Sequence, residues 1–277
     1  GRSTGIGVLL VFGLWDDRKQ LDYRMKFAGQ LLAVAIAVVY GGIRIHYVPL
    51  MGPDPIPESA AVVLSIFALL GVTNAINLAD GLDGLAAGTT LLSIGAICLL
   101  AFLAGNAMLP IIGMAVMGAI IGFLRFNTHP AQVFMGDAGS QFLGFMAGVL
   151  VIILTQQVSP VLSPAMPLLL LGLPLIDTFL VMGQRVLEKR SPFKPDRNHI
   201  HHKLLSLGLD HYAAVVVIYL IQGGLVTLAF VCRYSSDFLN MLLFGVALII
   251  LGGVFAIARR HASRLRHAGH EVMPSAV

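Results

Sequence analysis

Long apolar stretches recur along the whole chain and are separated by short polar segments. Nine of them can be delimited, at residues 3–14, 28–43, 58–78, 85–105, 108–126, 139–156, 163–184, 212–232 and 238–258. Most approach the ~20 residues with which an α-helix crosses the hydrocarbon core of a bilayer. A membrane β-barrel would instead show segments of about ten residues with alternating hydrophobicity. The pattern therefore predicts an all-α protein, a polytopic transmembrane helical bundle with about nine spans.

The composition supports this class. Of the 277 residues, 57% are hydrophobic and 12% are charged, whereas soluble domains carry about 25% charged residues. These values exclude a disordered chain and a protein whose surface binds nucleic acid. We expect one integral-membrane domain over residues 1–277, with a basic cytoplasmic tail at 259–277. Because the first apolar stretch reaches Asp16 after only 15 residues, we also expect the chain to be truncated at its N-terminus.

The Lys and Arg residues predict the orientation of the helices. Among the 18 of them, Arg44 and Arg233 fall in loops on one side, whereas nearly all others fall in the alternate loops and the tail. Because short cytoplasmic loops are enriched in Lys and Arg, the second side is predicted to face the cytoplasm. Four polar clusters lie on that same side. This favours an enzyme at the membrane surface over a transporter, whose polar groups would lie near the bilayer midplane.

Two of these clusters combine carboxylates and amides, which can bind a divalent cation. Asp16 and Asp17 form the first, followed by Lys26. Its alternative interpretation is a solvated loop whose aspartate caps the next helix. The second cluster has a polar residue at every third position: Asn74, Asn77, Asp80 and Asp83. On a helix this spacing keeps the four side chains on one side, within reach of a common cation or sugar.

The third cluster lies where a helix is predicted to begin and contains Phe134 and Asp137. Asp137 is expected either to cap that helix or to lie beside a bound phosphate, because N–H groups at a helix N-terminus bind both. Phe134 has two interpretations as well: it stacks on a planar base, or it packs against the protein.

The fourth cluster combines a guanidinium with three imidazoles: Arg197, His199, His201 and His202. Such a set suits phosphate or sugar oxygens. Zinc is the alternative, but it requires further ligands, and no cysteine lies nearby. Asp177, inside the seventh apolar stretch, is a further candidate because carboxylates within a bilayer are usually functional. The sequence indicates no partner for it.

Taken in order, the four clusters resemble the motifs of the polyprenyl-phosphate N-acetylhexosamine-1-phosphate transferase superfamily, glycosyltransferase family 4. That family carries an Asp-Asp pair, N-x-x-N-x-x-D-G-x-D-G-L, F-x-G-D-x-G-S and a late histidine cluster, all cytoplasmic. Here these motifs stand at residues 16–17, 74–85, 134–140 and 199–202. Ile200 interrupts the histidines, as in the branch that primes surface polysaccharide or wall teichoic acid with GlcNAc-1-phosphate. Members of the family usually have ten or eleven spans.

The resemblance implies an activity and a location. The enzyme would transfer a sugar-1-phosphate, with GlcNAc-1-phosphate favoured, from a UDP-N-acetylhexosamine to undecaprenyl phosphate and release UMP. This is the first membrane step of cell-envelope polysaccharide synthesis, at the cytoplasmic face of the bacterial inner membrane. The implied partners are these two substrates and membrane lipid, without nucleic acid; a homodimer stays open.

The resemblance also implies roles for individual residues. It places Mg²⁺, with Mn²⁺ as the alternative, on Asn77 and Asp137, and uridine near Asp83 and Phe134. We assign catalysis to Asp16, Asp17, Asp80 and Asp83. Substrate binding is assigned to Lys26, Asn74, Phe134, Arg197, His199, His201 and His202. Because a phosphomonoester is mostly dianionic at neutral pH, with a second pKa near ~6, we expect the Asp16–Asp17 pair to position groups rather than to remove a proton.

Two alternatives stay open from the sequence. Within the enzyme class, the same chemistry with UDP-MurNAc-pentapeptide or another UDP-hexosamine as the donor is the alternative to UDP-N-acetylglucosamine. In a different class, the chain is a transporter for lipid-linked solutes, which would require ionisable groups near the bilayer midplane.

Overall fold

The computed structural model describes residues 22–159, 162–189 and 199–270, together with residues 7, 11, 13 and 15–18. At residue 23 and at residues 258–270 it describes the backbone alone. Residues 15–18 are helical, and ten helices follow along the described chain. They are α1 Tyr23–Val39, α2 Glu58–Ala79, α3 Leu85–Leu103, α4 Met108–Asn127, α5 Gly136–Ile153, α6 Pro167–Leu170, α7 Gly172–Leu187, α8 Ile200–Ser206, α9 His211–Val231 and α10 Asp237–His270. A π-helical turn, Leu154–Val158, continues α5.

Six described stretches are long and apolar enough to cross a bilayer. They are Glu58–Ala79, Leu85–Leu103, Met108–Asn127, Gly136–Val158, His211–Val231 and Asp237–Ile257. The described residues contain no strand. The prediction of an all-α, multi-pass membrane protein is therefore confirmed. The predicted span 28–43 corresponds to α1, which is 17 residues long, whereas most of 3–14 lies outside the described residues.

The predicted span 163–184 is not one continuous helix. It divides into α6 and α7, with Leu171 between them. Pro174 has no N–H, so the Leu170 carbonyl lacks the partner that a continuous helix would supply. Gln222 of α9 replaces that partner: its amide donates to the Leu170 carbonyl over 2.9 Å, and its carbonyl oxygen accepts the Leu173 N–H over 2.9 Å. The break is thus stabilised by a fully buried side chain.

The helices differ in how much of their surface the protein covers. In the α5 span 89% of the residues are buried, against 17% in the α10 span, so α5 lies at the centre of the bundle and α10 at its edge. Two glycines let α2 approach α5 closely. A Cβ added to Gly144 would lie 2.7 Å from the Thr73 Cα, and one added to Gly148 would lie 2.9 Å from a Leu69 methyl group. Small residues at such positions allow helix backbones to meet in membranes.

Candidate active site

An ammonium group joins two acidic segments at the N-terminal end of α5. Lys26 of α1 lies 2.6 Å from an Asp16 carboxylate oxygen and 2.5 Å from an Asp137 carboxylate oxygen. Asp16 is only 4% exposed, so its charge requires a close partner. Lys26 supplies positive charge to both carboxylates. The first and third sequence clusters therefore lie together, although more than 110 residues separate them along the chain.

Asp17 caps the N-terminus of α5, although the two are about 120 residues apart in sequence. Its two carboxylate oxygens accept the Asp137 N–H over 2.9 Å and the Ala138 N–H over 3.4 Å. Gly136 makes this approach possible, because it has φ +66° and a Cβ there would lie 2.7 Å from an Asp17 oxygen. Of the two interpretations of Asp137, capping does not hold, because Asp137 is the second residue of this helix and the residue at the cap position is Met135.

The second cluster divides between two environments, because α2 ends at Ala79. Asn77 lies on the last turn of α2, and its amide nitrogen donates to Asp137 over 3.1 Å and to the Ser140 hydroxyl over 2.7 Å. Asn74, one turn earlier, donates instead to Gln30 of α1 over 3.0 Å. The three-residue spacing therefore does not keep all four side chains on one helical face, since Asp80 and Asp83 follow in the loop.

Asn77 and that loop line an open cleft of about 320 Å³. The polar and aromatic residues that line it and could contact a ligand include Asn77, Asp80, Asp83, Asn127, Phe134 and Asp137. Burial, together with the negative charges of Asp137 and Asp83, raises the pKa of Asp80 to about 6. Phe134 is 76% exposed, so its ring is available to a ligand in the cleft.

The donor set of this cleft fits a magnesium ion. Mg²⁺ prefers carboxylate and carbonyl oxygens, and Asn77, Asp80 and Asp137 carry them. The amide nitrogen of Asn77 makes both of its hydrogen bonds, while its carbonyl oxygen accepts none from the described part of the chain. Because burial and the neighbouring carboxylates raise the pKa of Asp80, added positive charge would stabilise its ionised form. The ammonium of Lys26 on Asp137 is the cation with which a metal would compete.

Asp83 is held by two histidines that the sequence patterns did not identify as site residues. His129, from the loop after α4, lies with Nδ1 2.8 Å from an Asp83 carboxylate oxygen. His211, the first residue of α9, accepts the Asp83 N–H on Nε2 over 2.9 Å. The hydrogen bond from His129 is the main reason why the pKa of Asp83 lies below its usual value. His211 is an isolated histidine at the start of an apolar stretch, so no spacing could have revealed it.

The histidine cluster is anchored by the carboxylate inside α7. Asp177 lies 2.8 Å from Nδ1 of His199 and accepts the Ile200 N–H over 2.8 Å. Asp177 and His199 are each 5% exposed. Asp177 therefore has the partner that the sequence did not indicate, and it satisfies the first backbone N–H of α8.

His201 packs against the loop that lines the cleft. It is 3% exposed, and its imidazole packs directly against Gly81, which lines the cleft. Burial lowers the pKa of His201 to about 4, and the neighbouring His202 and His199 add to this effect. His202 is partly exposed, with its ring centroid 4.2 Å from that of His201. Arg197 lies outside the described residues.

The helix bundle and its acidic cleft define a membrane enzyme whose polar groups meet at one end.

Comparison with known proteins identifies its family. The model of glycosyl transferase family 4 matches residues 2–155. The chain is 35% identical over 251 residues to a probable undecaprenyl-phosphate N-acetylglucosaminyl 1-phosphate transferase of Bacillus subtilis (strain 168), covering 90% of this chain and 70% of that protein. It is 34% identical over 266 residues to a decaprenyl-phosphate N-acetylglucosaminephosphotransferase of Mycolicibacterium smegmatis, with 88% and 66% covered.

A third relative is more distant. The undecaprenyl-phosphate alpha-N-acetylglucosaminyl 1-phosphate transferase of Escherichia coli (strain K12) is 29% identical over 261 residues, with 89% of this chain and 70% of that protein covered. The chain thus spans about two thirds of the length of these relatives. It belongs to glycosyl transferase family 4, which confirms the family expected from the four motifs.

Proposed function

We propose that this chain transfers N-acetylglucosamine-1-phosphate from UDP-N-acetylglucosamine to undecaprenyl phosphate. The carrying observation is the cleft at one end of a transmembrane bundle, where Asn77, Asp80 and Asp137 converge. A cleft in that position is open to a water-soluble nucleotide and close to the headgroup of a lipid in the same membrane. The names of the relatives supply the substrate class, since each acts on a polyprenyl phosphate with N-acetylglucosamine.

The reaction is a phosphoryl transfer between two phosphates. An oxygen of the lipid phosphate forms a bond to the β-phosphorus of the UDP-sugar. The bond from that phosphorus to the oxygen bridging the two phosphates breaks, and UMP leaves with the electron pair. The products are a lipid-pyrophosphoryl-sugar and UMP. Because the attacking oxygen is already largely anionic at neutral pH, the main requirements are orientation and charge stabilisation.

The Asp16–Asp17 pair fits the positioning role. Asp16 is buried and forms an ion pair with the Lys26 ammonium, and Asp17 accepts hydrogen bonds from two backbone N–H groups of α5. Both carboxylates are engaged in holding other parts of the site. They would place Lys26 and Asp137 where the phosphates bind, while the lipid phosphate attacks without a protein base.

Asn77, Asp80 and Asp137 would hold the magnesium ion. Bound there, the ion would supply positive charge against the negative charge that builds up on the pyrophosphate. Phe134 and Asp83 would contact the uridine, because they lie on the same cleft and one is an exposed ring. Sugar or phosphate contacts would come from the histidine segment, with His202 more accessible than the buried His199 and His201.

We also propose that the cleft faces the cytoplasm of a bacterial inner membrane. The basic loops support this orientation through the excess of Lys and Arg on that side. The transporter alternative loses its main support, because Asp177, the intramembrane carboxylate on which it rested, binds His199 and Ile200.

The test is transfer of label into lipid. The protein, purified in detergent, is mixed with undecaprenyl phosphate, MgCl₂ and radiolabelled UDP-N-acetylglucosamine, and lipid-extractable label is counted. Transfer should require the metal and should be lost in Asp137→Ala. Asp54→Ala is the matched control, because Asp54 is an exposed carboxylate in the loop between α1 and α2. Metal-independent transfer would refute the magnesium site, and transfer with a different UDP-hexosamine only would refute the choice of sugar.

A further inference from the structure

The two histidines at Asp83 come from segments far apart in the chain. His129 and the Ala131 N–H both bind the same carboxylate oxygen, Oδ2, over 2.8 and 3.1 Å. His211 binds the main chain of Asp83 rather than its carboxylate, with 2.9 Å from the Asp83 nitrogen to Nε2. The two imidazoles stack with their centroids 4.1 Å apart and an interplanar angle of 15°.

These contacts determine the hydrogen-bonding state of each ring. Nε2 of His211 accepts a hydrogen bond, so the proton of the neutral ring lies on Nδ1. Nδ1 of His129 faces an ionised carboxylate and therefore carries a proton. The backbone of His211 is fixed in turn, because Asp210 caps α9 by accepting the Ala213 N–H over 2.7 Å. The position of Asp83 is thus set by a helix end and by a separate loop.

The same three side chains also have the ligand types of a transition-metal site, and their ligand atoms lie within 4.8 Å of one another. However, Oδ2 of Asp83 and Nε2 of His211 already accept hydrogen bonds from this chain. A partly exposed polar cluster whose members already hydrogen-bond to one another requires no ion to explain it. Hydrogen bonding is therefore sufficient to account for the arrangement.

The other carboxylate oxygen of Asp83, Oδ1, is the one that can bind a ligand. Oδ1 accepts no hydrogen bond from the part of the chain that the structure describes, and Asp83 lines the cleft. We infer that His129 and His211 are positioning residues, which hold Asp83 by Oδ2 and by its main chain so that Oδ1 stays available to the nucleotide of the donor. This inference rests on the proposed function, because it assigns the nucleotide to the cleft.

Paired variants separate the hydrogen bond from the stacked ring. His211→Phe keeps an aromatic ring but removes the acceptor, whereas His211→Gln keeps an acceptor near the position of Nε2 but removes the ring. At the other residue, His129→Phe removes the donor and His129→Asn keeps one. His46→Phe is the matched control. His46 lies at the opposite end of α5, where its backbone N–H, which the substitution keeps, donates to the side chain of Gln156.

The measurements are kcat and KM for UDP-N-acetylglucosamine, together with its Kd without acceptor lipid. Losing one such hydrogen bond should raise KM and Kd about tenfold in both Phe variants, with kcat changed less than about threefold. The Gln and Asn variants should return both constants to within about threefold of wild type. In an Asp83→Ala background, His211→Phe should add nothing, because its effect passes through Asp83.

Three results would overturn the inference: an unchanged KM in His211→Phe, a Gln variant as impaired as the Phe variant, or a full additional loss in the Asp83→Ala background. A wild-type protein that transfers no label from any UDP-hexosamine, while still binding the nucleotide, would instead refute the proposed function. Thermal unfolding of each variant in detergent identifies any that fail to fold. If a Phe variant does, a KM raised more than about threefold in the corresponding Gln or Asn variant would overturn the inference.

Discussion

Replacement of Gly81 by alanine should abolish most of the transfer while leaving the protein folded. Gly81 follows Asp80 in the loop after α2, and its φ lies outside the left-handed region, so alanine is compatible with its backbone. The obstacle is His201. A Cβ on Gly81 would lie 2.9 Å from Cδ2 of that imidazole and closer still to Nε2 and Cε1.

The size of the effect follows from how little space His201 has. An ordinary contact begins at 3.4 Å, so the ring must retreat by about half an ångström at Cδ2 and further at Nε2. It is 3% exposed and lies between the rings of His199 and His202, so it cannot turn into solvent. Overpacking of this kind costs about 1–3 kcal/mol. Moving the Asp80 loop by about 1 Å instead would cost ~10²-fold in rate.

The assay is label transfer by Gly81→Ala at saturating substrates, with unfolding followed in the same detergent. We expect a 10- to 100-fold lower rate and a protein that still unfolds cooperatively. Gly71→Ala in α2 is the control, because a Cβ there would meet nothing within 4 Å. In combination with His201→Ala, the Gly81→Ala change should cause no further loss, since the clashing ring is gone.

The reasoning fails if Gly81→Ala keeps more than half of the wild-type rate. It also fails if the loss persists undiminished when His201 is alanine, because the cause would then lie in the loop itself.

Three further predictions concern the bundle around the site. Asp177→Leu should destabilise the protein by about 3–5 kcal/mol, because His199 and the start of α8 lose their acceptor; chemical unfolding in detergent measures this, and an unchanged midpoint would contradict it. The pKa of His201 falls to about 4 from 6.5 in the unfolded chain. Its contribution to stability is therefore complete above pH 6.5 and is lost as the pH falls towards 4. Unfolding of wild type and His201→Gln across this range should show the smaller pH dependence in the variant, and equal slopes would be the contrary result. Gly144→Ala should destabilise strongly, because its Cβ would meet backbone atoms of α2, whereas Gly122→Ala, with open space around it, should not; equal unfolding midpoints for the two would refute the packing argument.

The fold class followed from the sequence because apolar length is a local property. Each of the six described spans can be recognised from about twenty consecutive residues, and nothing distant had to be known. The division of 163–184 could not be recognised in this way. Pro174 signals a missing N–H, but the same proline is tolerated in a continuous helix when the freed carbonyl finds another partner. Here the helix breaks instead, and the side chain that stabilises the break is Gln222, 52 residues from Leu170.

The site was predictable in its residue types and less so in its pairings. Spacing identified Asp16, Asp80 and Asp137 as members of acidic clusters, and the charge distribution placed them on one side. Spacing gives no information about partners 120 residues apart, such as Asp17 and the N-terminus of α5. His211 was not predicted for the same reason, since its hydrogen bond with Asp83 forms only when α9 packs against the loop after α2.

Several residues assigned to catalysis also hold the site together, which changes how their variants must be interpreted. Asp17 satisfies two N–H groups of α5, so Asp17→Ala leaves those donors without an acceptor and can shift Asp137 as well. A loss of activity in that variant would therefore not identify Asp17 as a base. Asp17→Asn has no negative charge but keeps one oxygen, which can accept the shorter of the two hydrogen bonds, that from the Asp137 N–H. Only the difference between the two variants separates the support that Asp17 gives to α5 from the charge that it contributes beside Lys26 and Asp137.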